Sequence, residues 1–289
     1  MASHSLLASR FGRDRTQYRS RDNSPLTFDV MRQFAPSIFA ESAHESRSQR
    51  YGYIPTVTVV DALKKEGFYP FMVGQAKTRK EGHREYTKHM VRFRHANEIA
   101  RADQNEAAEI ILINSHNGSS SYQMLAGMFR FVCMNGLVCG DVIEDVRIPH
   151  KGNVIDAVKE GASLVLDGTD LVREVRSDMK TIGLNRDEQV ILAEGALALR
   201  FPDSTEARPA PITADQLLHP RRMGDNHHDL WSTFNVLQEN TIKGGLSGRN
   251  AHNRQMTTRA VNGIDQDRRL NQQLWIMADR MRQLKNGGH

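Results

Sequence analysis

The segment between residues 70 and 150 contains several β-rich runs with only short connections between them. β-branched and aromatic residues dominate each run, and Asn117-Gly118 is a dipeptide typical of tight hairpin turns. A parallel strand pair needs a crossover of about a dozen residues or more, so connections this short favour an antiparallel meander. The predicted strands are 70–79, 86–94, 109–116, one long strand over 121–137 with a bulge at Gly127 and a second turn signal at Asn135-Gly136, and a closing strand over 145–150.

Helical periodicity flanks this region on both sides. Apolar residues recur every three or four positions before it and again after Gly152. Thr56 is a candidate N-cap of the first helix, and Gly67 fits its stop position. The predicted helices are 56–66, one or two over 153–183, 186–199, 213–218, 229–243 and 270–284. The fold class is therefore α+β: an antiparallel β-meander over about 70–150, flanked by helices, with a helical C-terminal half.

Composition shifts along the chain predict its division into domains. The first 25 residues are rich in Ser and Arg without apolar periodicity, which is typical of a disordered basic arm. Three prolines between 201 and 213 indicate a linker, and three glycines between 244 and 248 indicate a mobile polar loop over 244–258 or a DNA clamp. The predicted divisions are an arm over 1–25, an α+β core over 26–200, a Pro-rich linker over 201–215 and a helical C-terminal region over 216–289.

Several protein classes are excluded by what the sequence lacks. No run approaches the ~18 apolar residues of a membrane-spanning helix, and the N-terminus lacks the apolar core of a signal peptide. Two cysteines cannot form a disulfide framework or a four-thiolate zinc site within one chain. Cys133 and Cys139 are instead expected to be buried thiols that act as small apolar side chains. We therefore expect a cytoplasmic protein without membrane contact and without a cofactor.

Basic residues are concentrated in three segments. The net charge is only +5, from 39 Lys and Arg against 34 Asp and Glu. The cations cluster in 1–25, 77–94 and 243–285, and Arg, which suits phosphate recognition, outnumbers Lys. This pattern favours a polyanion partner, and nucleic acid is the first candidate. A solvated protein surface gives the same pattern.

The run KHMVRFR over 88–94 alternates basic and apolar residues on a predicted strand. Period-two alternation places Lys88, Arg92 and Arg94 on one face of the sheet together with Met90. Single strands are often held by such a row of cations beside aromatic rings, for which Phe129 and Phe131 are candidates. The DNA-binding residues predicted in this way are Lys77, Arg79, Arg84, Lys88, Arg92, Arg94, Arg130, Lys151, Arg221 and Arg222.

Histidine and carboxylate clusters allow a second interpretation, a metal site. The spacing matches no established zinc motif, and residues near Asp229 also suit the capping of a helix. The polar turn over 114–121 either bonds to its own backbone or contacts phosphate. The candidate metal ligands are His116, His150, Asp225, His227 and Asp229, with Glu239 added for a nuclease.

Three long motifs carry a resemblance to a known family. They are INSHNGSSSYQMLAGMFRFVCMNGLVCGD, RIPHKGNV and LLHPRRMGDNHHDLWSTFNVLQENTIKGGLSGR. In this order they closely resemble the phage/plasmid-like proteins of the family called domain of unknown function nine-thirty-two, from about Tyr51 to Met281. The resemblance implies a place in mobile-element biology but no particular chemistry.

A basic β-meander followed by helices is also similar in architecture to ring-forming annealing proteins of the Rad-fifty-two superfamily. That similarity implies an ATP-independent protein that binds single-stranded DNA, pairs complementary strands and assembles into a homo-oligomeric ring or filament. A fold alone does not determine function. Two alternatives stay open: a metal-dependent nuclease or hydrolase, and a non-enzymatic protein that blocks a host defence system.

Overall fold

A computed structural model describes residues 17–20, 24–45, 53–78, 82–100, 106–130, 135–138, 146–149 and 152–287, without the side chains of 129, 130 and 135–138. The chain divides into two compact units. The first comprises residues 1–125 and 145–166, and the second comprises residues 126–144 and 167–289.

The strands from β1 to β7 form one seven-stranded sheet. Its strand order is β1-β2-β3-β4-β5-β6, and β7 also pairs with β5. Every pair with a described register is antiparallel. The antiparallel α+β architecture predicted from the sequence is thus confirmed. The strands are β1 (Gln17–Arg19), β2 (Phe68–Gln75), β3 (His89–His95), β4 (Glu106–Asn114), β5 (Tyr122–Arg130), β6 (Asn135–Val138) and β7 (Val146–Ile148).

The predicted long strand over 121–137 is wrong in one respect, because it is two strands. β5 ends at Arg130, and β6 turns back along it with Gly127 opposite Val138 and Phe129 opposite Gly136. Gly127 is therefore an ordinary ladder position, and Asn135-Gly136 lies inside β6. Ladder pairing overrides the turn preference of an Asn-Gly dipeptide.

The ordered sheet begins earlier than the predicted boundary at residue 26. Gln17 to Arg19 form β1 and pair with β2, with Arg19 opposite Met72. The prediction of a disordered arm is therefore wrong for these residues. The rest of the arm up to residue 16 lies outside the described residues.

The helices of the first unit cover the sheet. Helix α2 contacts β2 through its buried face, which includes Val59, Val60 and Leu63. It stops before Gly67, whose φ of +85° favours glycine, as predicted. Thr56 does not cap it: Pro55 occupies the N-cap position, and the Thr56 side chain points into a buried polar cluster. The helices are α1 (Phe28–Phe34), α2 (Thr56–Lys65), α3 (Ala96–Ala100) and α4 (Val154–Asp167).

The second unit is built around one buried helix, α8. Its neighbours are α5, α6, α7 and α9, and its residues are buried from Leu230 to Thr241 with the exception of Ser232. The Asp229 side chain accepts a hydrogen bond from Ser232 N and so caps its start. The elements are α5 (Thr169–Thr181), α6 (Arg186–Arg200), α7 (Ala214–Leu217), α8 (Leu230–Lys243), β8 (Ser247–Arg249), β9 (Gln255–Thr257) and α9 (Ile264–Lys285).

The predicted mobile loop over 244–258 contains an ordered hairpin of β8 and β9. Arg249 N donates to Pro211 O at 2.9 Å, and a Cβ on Gly248 would lie 1.8 Å from the same oxygen. Glycine is therefore required where the hairpin backbone meets the Pro-rich segment. This contact places the predicted linker inside the second unit, so the unit boundaries differ from the predicted divisions at residues 200 and 215. Within the described residues, no helix has both the length and the apolar character of a membrane span.

Candidate nucleic-acid interface

Three of the predicted DNA-binding cations lie together at one end of the sheet in the first unit. Lys77 follows the end of β2, Lys88 precedes β3, and Ala76 N donates to Lys88 O at 2.7 Å. Arg84 lies in the 3-10 turn of the same β2–β3 connection. Lys77 and Arg84 are exposed, and Lys88 is half-buried. Lys77 and Arg84 thus provide accessible positive charge, which the exposed Glu85 of the same turn partly offsets.

Aromatic rings accompany these cations. The imidazole of His44 lies 4.4 Å from that of His83, centroid to centroid, and meets the ring of Tyr86 edge-on at 5.2 Å. All three rings are half-buried. We call Lys77, Arg84 and Lys88 with these rings the cationic platform. Flat side chains beside cations are the combination that holds single-stranded nucleic acids.

Buried side chains hold the platform in place. The amide of Gln75 donates to Arg84 O at 2.9 Å, and its oxygen accepts hydrogen bonds from the backbone and the hydroxyl of Ser37. His116 N donates to Tyr86 O, and His44 N donates to His116 O, both at 3.1 Å. Because Gln75, Ser37 and His116 are buried, the turn carrying Arg84 is fixed from inside the sheet.

A buried polar cluster lies beneath, centred on Thr56. Its hydroxyl accepts a hydrogen bond from the Asn114 amide at 3.0 Å and lies 2.8 Å from His89 Nε2 and 3.1 Å from His116 Nε2. His89 Nδ1 lies 3.2 Å from Thr87 O, so the proton of neutral His89 belongs on Nδ1 and the threonine donates to Nε2. All four side chains are at most 1% exposed. His116, a candidate metal ligand, is thus part of the packed interior.

The turn over 114–121 bonds to its own backbone. Ser120 N donates to Ser115 Oγ at 2.7 Å, and that hydroxyl donates to Ser120 O at 3.1 Å. Ser119 N donates to Asn117 Oδ1. These bonds are those expected of a self-bonded polar hairpin.

Two other predicted DNA-binding residues, Arg92 and Arg94, are buried. Their side chains are 2% exposed and contact the carboxylate of Glu109 on β4, with Arg92 Nε 2.6 Å from Oε2 and Arg94 Nε 3.0 Å from Oε1. Arg19 of β1 reaches the same carboxylate at 3.1 Å. We call these four residues the Glu109 cluster. Their burial makes Arg92 and Arg94 unsuitable for direct phosphate contact.

The electrostatics of the Glu109 cluster follow from its burial. Burial by itself would raise the pKa of Glu109, but the charges of Arg19, Arg92 and Arg94 outweigh it and lower that pKa to about 2. Burial also lowers the pKa of Arg94, and it lowers that of Arg19 to about 10. The carboxylate is therefore ionised throughout the physiological range and serves as a counter-charge inside the sheet.

Arg221 and Arg222, predicted to form another DNA-binding wall, hold a loop onto α8 in the second unit. Arg222 Nε donates to Asp225 at 2.8 Å, and its terminal nitrogens contact Glu239, which Lys243 also contacts. Arg221 donates to Asn240 Oδ1 at 2.7 Å and to Gly244 O. The charge of Arg222 is thus compensated by two carboxylates, which does not suit phosphate binding.

The candidate metal ligands are not gathered into a site within the described residues. Asp225 pairs with Arg222, and Asp229 caps α8. His227 is exposed. No group of three or more His, Cys, Asp or Glu side chains in the described part of the chain is arranged to hold a metal ion. Arg79, His150, Lys151, Phe131, Cys133 and Cys139 lie outside the described residues, as do the side chains of Phe129 and Arg130.

Comparisons with known proteins place the chain in a family. The family model "Domain of unknown function (DUF932)" matches residues 43–275. The chain belongs to the DUF932 family. Its relatives include the UPF0380 proteins YafZ and YfjQ of Escherichia coli K12, which are 50% and 49% identical to it over 273 residues, 94% of this chain and 96% of each relative. No solved structure gives a significant match.

The resemblance to DUF932 inferred from the three motifs is thereby confirmed, while the similarity to Rad-fifty-two proteins stays a prediction. Sequence reasoning missed Glu109, although a carboxylate within an apolar strand is a signal of a buried ion pair. It also missed the ring contact of His44 and His83, which lie 39 residues apart and meet only through the fold.

Proposed function

We propose that this DUF932 protein binds single-stranded DNA and anneals complementary strands without ATP, in the recombination of a phage or plasmid. One observation carries the proposal: the cationic platform combines accessible positive charge with half-buried aromatic rings around a turn that a buried side chain holds in place. The cations would neutralise phosphates, and the rings would stack against bases. The resemblance of the long motifs to phage/plasmid-like proteins supports the placement in a mobile element.

Annealing needs no covalent chemistry. The protein has to hold the backbone extended, reduce the repulsion between two phosphate chains and leave the base edges accessible. One platform spans only a few nucleotides, so a homo-oligomer, ring or filament, is expected to provide a useful footprint. Positive charge on an exposed turn also accelerates the encounter with DNA at low salt.

The test is binding of a labelled single-stranded oligonucleotide across a salt series, with the double variant Lys77→Glu, Arg84→Glu. Each lost phosphate contact removes ~0.7 from the slope of log affinity against log salt, so the double variant should lose ~1.4 from that slope. Strand pairing of complementary oligonucleotides, measured without nucleotide, should slow in parallel. Light scattering of the wild-type protein then tests the expected oligomer.

The matched control is the double variant Lys65→Glu, Arg147→Glu, which makes the same charge change at two exposed residues of the first unit outside the platform. If both double variants lose the same affinity, net charge rather than the platform drives binding, and the proposed site is wrong. Loss of binding with a chelator would instead favour the metal-dependent alternative.

A further inference from the structure

The second unit contains a cleft that none of the predicted site residues lines. It lies between the Pro-rich segment after α6 and the β8–β9 hairpin, and its volume is about 590 Å³. That volume is within the ~300–1,000 Å³ typical of ligand sites. A second cavity of about 450 Å³ shares Pro209, Pro211, Asn250 and Ala251 with it, so the two form one groove along the hairpin tip.

The groove is positively charged. Arg200, Arg208 and Arg249 line it together with His252, and Asp203 is the one carboxylate among the described residues that line it. Arg208, Arg249 and His252 are exposed. An excess of positive charge at the walls of a concave site attracts anions and concentrates them there.

An aromatic ring supplies a stacking surface in the same cleft. Phe201 is half-buried, and the guanidinium of Arg200 lies 5.4 Å from its ring centroid. Arg200 is itself held by a 2.7 Å hydrogen bond to Arg259 O. A base stacked on Phe201 would therefore lie beside a fixed cation. Proteins that bind single-stranded nucleic acids combine aromatic rings and cations in this way.

Hydrogen bonds hold both walls of the groove in place. The backbones of Thr205 and Arg208 bond to each other in both directions, and Gln216 donates to Ser247 O at 2.8 Å. At the hairpin tip, Asn250 Oδ1 accepts from His252 N and Arg254 N, both at 3.0 Å. Such a preformed groove loses little conformational entropy when it binds.

We propose that this groove is a second binding site for single-stranded DNA, in which phosphates contact Arg208 and Arg249 and a base stacks on Phe201. The inference rests on the proposed function for the identity of its ligand, but its residues lie in the other unit. Two sites on one chain would let an annealing protein hold two strands, or two parts of one strand.

The direct probe is the variant Phe201→Trp titrated with oligo(dT). Trp231 and Trp275 are 2% and 0% exposed, so the added indole is the one expected to respond to stacking. We expect its fluorescence to be quenched by oligo(dT), and Phe201→Leu to lower strand affinity by ~5-fold or more, the lower end of the effect of removing one stacking ring. Unchanged fluorescence at saturating oligo(dT) would overturn the proposal.

A charge-reversal pair tests the cations. Arg208→Glu should lower strand affinity and the salt slope, whereas Arg269→Glu, an exposed arginine of α9 outside the groove, should have less effect on both. Equal effects of the two variants would contradict the groove. Equally tight quenching by free thymidine monophosphate would also overturn it, because it would identify a mononucleotide pocket.

These experiments distinguish a failure of the cationic platform from a failure of the groove. If the platform variant Lys77→Glu, Arg84→Glu binds like its control while Phe201→Trp is quenched, the platform is wrong and the groove stands. If the platform variant loses binding and Arg208→Glu matches Arg269→Glu, the groove is wrong and the platform stands. A wild-type protein that binds no single-stranded DNA would overturn both.

Discussion

The run between residues 77 and 94 divides into two groups of cations with opposite surroundings. Lys77 and Arg84 are exposed on the cationic platform, whereas Arg92 and Arg94 are buried with Glu109. Along the sequence, both groups belong to one run of basic residues. The difference is the partner: a carboxylate on the neighbouring strand makes burial tolerable for Arg92 and Arg94. A basic strand is therefore evidence of a binding surface only after its partners across the sheet are known.

The largest effect is expected from Glu109→Gln. This change removes the negative charge that the guanidinium groups of Arg19, Arg92 and Arg94 share, and the side chains of Arg92 and Arg94 are buried. Removing one partner of a buried ion pair costs about 3–5 kcal/mol, so we expect a loss of that size in the free energy of unfolding, measured by urea denaturation. A loss below about 1 kcal/mol would mean that the Glu109 cluster contributes no more than a surface pair.

The pH dependence of stability tests the same cluster. The pKa of Glu109 is lowered in the folded protein to about 2, so its contribution is fully present above the unfolded value of about 4.5 and is lost as pH falls towards 2. At 1.36 kcal/mol per unit this amounts to about 3 kcal/mol between pH 5 and 2. Glu109→Gln should remove that part of the acid dependence. If the difference in unfolding free energy between the wild type and Glu109→Gln stayed constant from pH 5 to 2, the attribution of this pH dependence to Glu109 would be wrong.

A pair of Arg→Lys substitutions sharpens the contrast. Arg94 bonds to Glu109 and lies 4.2 Å above the ring of Phe71, and a lysine cannot reproduce both contacts. We expect Arg94→Lys to lower the free energy of unfolding by about 1–3 kcal/mol. Arg84→Lys should leave stability within about 0.5 kcal/mol and keep most strand affinity, because a lysine still neutralises a phosphate. Equal destabilisation by the two variants would show that the buried Arg94 contributes no more to stability than the exposed Arg84.

The smallest effect is expected from Glu66→Gln, the matched control for Glu109→Gln. Glu66 pairs with Lys159 at 2.7 Å, but both side chains are at least one-third exposed. Exposed pairs contribute little to stability, and salt screens them further. Chemical denaturation at low and high salt should therefore show little change, and a loss as large as that of Glu109→Gln would show that burial is not what distinguishes the pairs.

The architecture of the sheet was predictable because it depends on short-range patterns. Alternation predicted the strands, and Gly118 at +78° and Gly67 at +85° occupy the turn and the helix stop that their positions indicated. The chain reversal between β5 and β6 was not predictable from the sequence, because residues 131–134 between them, FVCM, include no turn-forming residue and the Asn135-Gly136 turn signal falls at the start of β6.

The sites depended on contacts between distant residues. Thr56 is a good helix cap by sequence, yet it serves as the centre of a cluster formed with His89, Asn114 and His116. The predicted mobile loop over 244–258 is an ordered hairpin because the Pro-rich segment, about 40 residues earlier, supplies Pro211 O as its partner. Neither pairing leaves a local pattern in the chain.

The sequence by itself determined the family, the α+β class and the positions of most strands and helices, because hydrophobic period and turn chemistry act over a few residues. Only the tertiary structure decided which cations are accessible, because solvent exposure depends on partners brought by other strands. Arg84 and Arg92 lie eight positions apart and are indistinguishable as charges along the chain. The register that places Glu109 beside β3 makes one of them a candidate DNA contact and the other part of the core.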